Sequence, residues 1–124
     1  MLNHVSIGVR SVAAAKRFYD ATLSAICYRC LSEDATSLGY GASQVSFWVL
    51  QVEQPVPGNP KSGLHFCFDA NNRAGVVEFH AAGLRHGGKD HGQPGVRADY
   101  APDYFAAFLV DPDGYRIEAY CRAK

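Results

Sequence analysis

Polar and apolar residues alternate at the start of the chain: Val5, Ile7 and Val9 fall on one side, His4, Ser6 and Gly8 on the other. Period two marks a half-buried strand. From Val12 the period lengthens. Val12, Ala15, Phe18, Tyr19 and Leu23 recur at helical spacing over residues 12–25, a run rich in alanine and free of Gly and Pro, with Ser11 placed as N-cap. Short strands are predicted over 27–32, 37–40 and 45–52, with Glu33-Asp34 and the glycine-containing 39–42 as turn material. Residues 54–62 hold three prolines, a glycine and an asparagine and read as a linker. The pattern then restarts. Residues 64–69 alternate, with His65, Cys67 and Asp69 opposite Phe66 and Phe68, and 73–86 form a helix carrying Val76, Val77, Phe79, Ala82 and Leu84. The stretch 87–100 is glycine-rich and irregular, with room for one weak strand. Strands over 104–111 and 115–122 flank Asp111-Pro112-Asp113-Gly114, whose Pro and Gly suit a tight turn, so they form a hairpin.

A displacement of 61 residues superposes the start of one half on that of the other over some twenty residues without a gap: His4 falls on His65, Val5 and Ile7 on Phe66 and Phe68, Phe18 on Phe79, Ala21 on Ala82 and Leu23 on Leu84. The expected architecture is α+β, a single domain (1–124) of two βαβββ modules, at about 1–54 and 63–124, joined by a linker at about 55–62. The apolar sides of the first strands would pack under the helices, and the sides bearing His4 and His65 would face a shared concave interior suited to a ligand.

Composition narrows the partners. Twelve basic residues balance twelve acidic ones, which argues against nucleic acid or an anionic membrane surface. At 48% hydrophobic and 19% charged, the chain can bury a core. No apolar stretch approaches the ~20 residues of a membrane helix. Four cysteines are too sparse for a disulfide scaffold, and residues 1–10 lack the pattern of a signal peptide, so a cytoplasmic protein with reduced thiols is expected. Cys27 and Cys30 form a C-x-x-C, but it follows a helix instead of opening one, where the dipole would lower a thiol pKa. Structural thiols are the simpler reading.

The segments His4-Val5-Ser6-Ile7-Gly8-Val9, Ala15-Lys16-Arg17-Phe18-Tyr19, Gly63-Leu64-His65-Phe66-Cys67-Phe68 and Phe108-Leu109-Val110-Asp111-Pro112-Asp113-Gly114-Tyr115-Arg116-Ile117-Glu118 together resemble the vicinal oxygen chelate superfamily: glyoxalases, bleomycin-resistance proteins and extradiol dioxygenases. The resemblance spans essentially the whole chain, and Asp-Pro-Asp-Gly-x-x-x-Glu is its most specific piece. It implies paired modules curled into an incomplete barrel around a cleft, and a homodimer. It also implies a divalent metal held by His4, His65 and Glu118. Two His and one carboxylate form a facial set with open positions, favouring Fe(II) or Mn(II), with Zn(II) or Ni(II) as alternatives. Such a metal can polarise a substrate carbonyl.

Glyoxalase I members add a fourth ligand on the last strand of the first module. Here that place holds Ser46, Phe47 and Trp48, so a standard glyoxalase I is not expected. Two functions stay open. One is a lyase, isomerase or dioxygenase acting on a small oxygenated substrate through the metal. The other is a metal-free protein that sequesters an antibiotic or aromatic ligand, with no chemistry of its own. Trp48, Phe47, Tyr40, Cys67, Arg97, Tyr100, Tyr104 and Tyr120 are candidate substrate-binding residues, Arg97 for an anionic group and the aromatic residues as pocket walls. His80 and His86, on or after the second helix, are expected at the surface.

Overall fold

The computed structural model describes residues 1–122. Their order is β1 (Val5–Val9), α1 (Val12–Ser24), β2 (Arg29–Glu33), β3 (Ser37–Gly41), β4 (Val45–Gln51), β5 (His65–Asp69), α2 (Arg73–Arg85), β6 (Lys89–Val96), β7 (Phe105–Val110) and β8 (Arg116–Cys121). Two open four-stranded sheets result, ordered β1-β4-β3-β2 and β5-β8-β7-β6. In each, the first strand of the module pairs in parallel with the last, and the other pairings are antiparallel. This is the βαβββ duplication expected from the 61-residue repeat. No helix among the described residues is long and apolar enough to cross a membrane.

Each helix begins on a cap. The Ser11 hydroxyl accepts from the Ala14 amide, and the Asn72 side chain from that of Gly75. Val12, Ala15, Phe18, Tyr19, Thr22 and Leu23 make the buried stripe of α1, which lies over β2, β3 and β4. On α2 the buried positions are Val76, Phe79, His80, Ala82 and Gly83. A Cβ at Gly83 would come within 2.3 Å of Leu109, so glycine lets α2 sit close on β7.

One hydrophobic core runs through both modules. Phe47 of β4 is the bridge: its ring centre is 5.3 Å from Tyr19, 6.1 Å from Phe66 and 5.2 Å from Phe68. The helices pack on each other as well. The hairpin turn of the second module then clasps the first. The Asp111 carboxylate accepts from the backbone N–H of Asp113 and Tyr115, at 2.9 and 2.8 Å, and from the Tyr19 hydroxyl of α1. Asp113 accepts from the Arg10 amide at 3.0 Å, and the Tyr115 hydroxyl donates to the Gly8 carbonyl at 2.7 Å. The linker closes over this turn, since a Cβ at Gly58 would come within 2.8 Å of Gly114 Cα. Burial outweighs the hydrogen bonds to Asp111 and pushes its carboxyl up to about 6.

Three expectations need correcting. Cys27 does not open a strand; it takes a left-handed conformation (φ 71°) in the turn after α1, and β2 starts at Arg29. His80 is not at the surface. It is 3% exposed, and its Nε2 meets Asp90 Oδ1 on β6 at 2.8 Å. Val77 and Leu84, assigned to the inner stripe of the second helix, are exposed. His86 is exposed as expected, and the stretch 87–100 contains a full eight-residue strand.

Candidate functional site

Strand β8 turns Ile117, Ala119 and Cys121 into the core and Arg116, Glu118 and Tyr120 toward the opposite face of the sheet. That face carries no helix. The parallel partner β5 sets His65 beside Arg116, Cys67 beside Glu118 and Asp69 beside Tyr120. Although it stands on the uncovered face, Glu118 is 2% exposed. Its Oε1 accepts from His65 Nε2 at 2.7 Å and its Oε2 from the Tyr104 hydroxyl at 2.6 Å. Both carboxylate oxygens are thus satisfied by side chains from two other segments, as a buried charge requires.

The neighbours are tuned by this arrangement. Burial first, then the hydrogen bond to Glu118, pushes the Tyr104 phenol well above its ordinary value, so it keeps its proton at neutral pH. Cys67 is exposed as a residue, but its sulfur lies within hydrogen-bonding reach of Tyr104 and Glu118. Burial and the Glu118 charge push this thiol up to about 12. It is therefore not a thiolate nucleophile. Tyr104 stacks on Tyr120, with centres 4.6 Å apart, and meets the edge of Tyr100 at 5.1 Å. Phe108 of β7 brings its ring to 6.3 Å from His65, and the Arg97 guanidinium lies 5.2 Å from the same ring.

Thus His65, Cys67, Tyr104, Glu118, Tyr120, Tyr100 and Arg97 gather on one sheet face. The remaining sequence candidates stand elsewhere. His4 lies just before β1, exposed, with its Nδ1 2.8 Å from the side chain of Asn3. Among the described residues of one chain, no three His, Cys, Asp or Glu side chains converge to hold a metal ion, so His4 does not complete a triad with His65 and Glu118 there. Phe47 and Tyr40 point into the core, where the Tyr40 hydroxyl donates to Asp20 at 2.8 Å. Trp48 is half-buried on the outer face of the first sheet, against Gly39.

A cavity of about 390 Å³ opens between the modules, walled by Tyr28, Tyr40, Phe47, Phe66 and Phe68 and reached by His65. Phe108 and Tyr28 were not singled out from sequence. Phe108 was legible only as an alternate position on a predicted strand, and Tyr28 sits in a segment whose strand begins later than expected. The described cysteines are all free, including Cys27 and Cys30.

His65 and Glu118 pass a test of fit for a divalent ion. Imidazole nitrogen and carboxylate oxygen are donors for Fe(II), Mn(II), Zn(II) or Ni(II). Two donors at ~2.1 Å from one ion and at right angles stand roughly 3 Å apart, close to the 2.7 Å between Nε2 and Oε1. The pair is two-thirds of the expected set, and the third member lies on the other module.

No protein-family model matches the sequence, and no curated protein matches it with significance. Solved structures do match over the whole chain. A glyoxalase/bleomycin resistance protein from Albidiferax ferrireducens is 29% identical, with a TM-score of 0.86 and coverage of 97% of this chain and 98% of that one. A glyoxalase/bleomycin resistance protein/dioxygenase family enzyme from Burkholderia phytofirmans is 14% identical, with a TM-score of 0.69 and coverage of 95% of both chains. A glyoxalase I mutant from Zea mays is 20% identical, with a TM-score of 0.74; the match takes in 96% of this chain and 45% of that longer one. In strand order, modular duplication and full-length superposition, this chain has the fold of the glyoxalase/bleomycin resistance/dioxygenase proteins, the vicinal oxygen chelate superfamily.

Proposed function

We propose that this chain is a metal-dependent enzyme of the glyoxalase/dioxygenase kind, acting on a small oxygenated organic substrate. In this reading the site is built on His65 and Glu118 and completed by His4 of a second copy. The observation that carries it is a carboxylate 2% exposed, hydrogen-bonded to a histidine and a tyrosine on a sheet face that no helix covers. Such a pair costs desolvation energy and adds nothing to the core, which is the trade expected of a functional site. Because α1 and α2 pack together between the sheets, the faces bearing Ser6 and His65 are both left uncovered. A two-fold pair of chains would set the first sheet of one over the second sheet of the other and form the cleft twice.

A divalent ion held there would act as a Lewis acid toward a substrate carbonyl. The chain's own residues do the rest. Glu118 and His65 present the ligand atoms. Tyr104 donates its one hydroxyl proton to the second Glu118 oxygen and so fixes the plane of the carboxylate, which leaves the phenol oxygen to accept from a bound hydroxyl. The balanced charge and sparse cysteines fit a cytoplasmic protein.

Mixed dimers test both halves of the reading. His4→Ala and Glu118→Ala homodimers should each lose bound Mn(II) or Fe(II). Unfolding them together and refolding the mixture should recover one metal per heterodimer, because one of its two sites is then intact. Loss without recovery would place the metal within a single chain. If no wild-type protein takes up Fe(II), Mn(II), Zn(II) or Ni(II) on reconstitution, the metal mechanism falls. The aromatic cavity between the modules would then support the second reading, a binding protein for planar ligands.

A further inference from the structure

Arg97 is the least explained cation on the site face. Its guanidinium is anchored: Nη1 donates to the Gly95 carbonyl at 2.9 Å and Nη2 to the Gln93 carbonyl at 2.7 Å. Strand β6 is shaped around it. The register slips on both sides of Gly92, and a Cβ at Gly92 or Gly95 would come within 3.1 or 3.2 Å of the guanidinium nitrogens. Glycine at both positions leaves room for the flat group, which lies over the Phe108 ring. Arg97 has no carboxylate partner among the described residues, unlike Arg10, Arg85 and Arg122. Other unpaired arginines, such as Arg17 and Arg29, are simply exposed. Arg97 is instead seated by two backbone carbonyls, with the rest of its fork unused. Arg116, also without an acidic partner among the described residues, lies beside His65 in the β5–β8 register and on the strand face of Glu118. Two unneutralised guanidinium groups thus flank the His65–Glu118 pair, and Arg97 and His65 stand against the same phenyl ring.

We infer that the substrate of this site is an organic anion with two functional ends: vicinal oxygens at the His65–Glu118 end and a carboxylate received by Arg97. This rests on the reading of His65 and Glu118 as the reacting end. A planar fork of N–H donors matches a carboxylate bidentately, and a pre-seated guanidinium loses little freedom on binding it. Arg116 supplies positive potential along the same face.

The probe is 2-oxoglutarate, compared with 2-oxopentanoate, the same 2-oxo acid without the distal carboxylate. Binding of each is measured by calorimetry to the full protein, with and without Mn(II), and Mn(II) binding is measured separately. Wild type should prefer 2-oxoglutarate by about tenfold to a hundredfold, as expected for charge-assisted hydrogen bonds. Arg97→Gln should abolish the preference while 2-oxopentanoate and Mn(II) bind as before. Arg97→Lys should recover part of it. Gly95→Ala, which crowds the guanidinium and leaves its charge, should reduce it. Equal binding of the two acids by wild type, no binding of either, or an undiminished preference in Arg97→Gln would overturn the inference. Absence of Mn(II) binding with the preference intact would instead refute the metal reading and leave the anion site standing.

Discussion

Replacing Asp111 by Asn removes a buried negative charge while keeping an oxygen for the Asp113 and Tyr115 amides and a polar atom facing the Tyr19 hydroxyl. In the native protein two effects oppose each other at this carboxyl. Three hydrogen bonds favour the anion, but loss of water disfavours it more, and the group is pushed from 3.8 up to about 6. A raised folded pKa means that the folded chain binds the proton more tightly than the unfolded one. Stability is therefore full below about pH 4, falls as pH rises through 6, and levels off above. A displacement of about two pH units corresponds to about 3 kcal/mol across that window. Asp34, Asp90 and Asp103 are held below their ordinary value by hydrogen bonds, so their contribution appears above their unfolded pKa and is lost toward acid. They are common to both proteins and cancel in the difference. Urea unfolding of wild type and Asp111→Asn, followed by the single Trp48 from pH 4 to 7.5, gives the comparison. The variant should gain about 3 kcal/mol relative to wild type between the two ends. A difference that does not change with pH would refute the claim that Asp111 is buried as a reluctant anion.

Two further outcomes follow from side chains already described. Phe47→Ala removes the ring that joins Tyr19, Phe66 and Phe68 across the modules and should cost about 3–5 kcal/mol in chemical denaturation; a loss below 1 kcal/mol would mean that the modules meet elsewhere. Cys67 should label with iodoacetamide at pH 8 more slowly than in Glu118→Gln, where the nearby charge that helps hold its proton is gone; mass spectrometry of the labelled peptides reads the ratio, and equal rates would contradict the coupling.

Local pattern carried far into the fold. Both helices, the duplicated strand order and the Asp111 hairpin were visible because each depends on neighbours in sequence: caps, periods and turn residues. Part of what failed depended on contacts with other elements. His80 reads as a surface residue on a helix, and only Asp90, on a glycine-rich strand with little β-forming signal, makes its burial tolerable. The juxtaposition of His4 and His65 was inferred from repeat symmetry. Symmetry establishes that two positions are equivalent, not that they are adjacent; here the helices pack against each other, and the equivalent faces are both uncovered. The His65–Glu118 pair was legible because parallel pairing of the first and last strands of one module brings it together. Arg97 was legible as a cation near the site, whereas its seat on β6 required two carbonyls and two glycines in three dimensions.

The position of the clasp in the chain bears on how the protein is made. Each sheet is closed by pairing its first strand with its last, so a nascent module stays unfinished until its final strand has left the ribosome. The aromatic seam of the first module then waits, unshielded, for the second. Asp111 and Tyr115, which lock the two together, lie at the last hairpin of the second module. Both modules must emerge before the seam can shut. Synthesis of this chain thus passes through a stage in which Phe47 and its neighbours are open to chaperones, or to the same strands of another nascent copy.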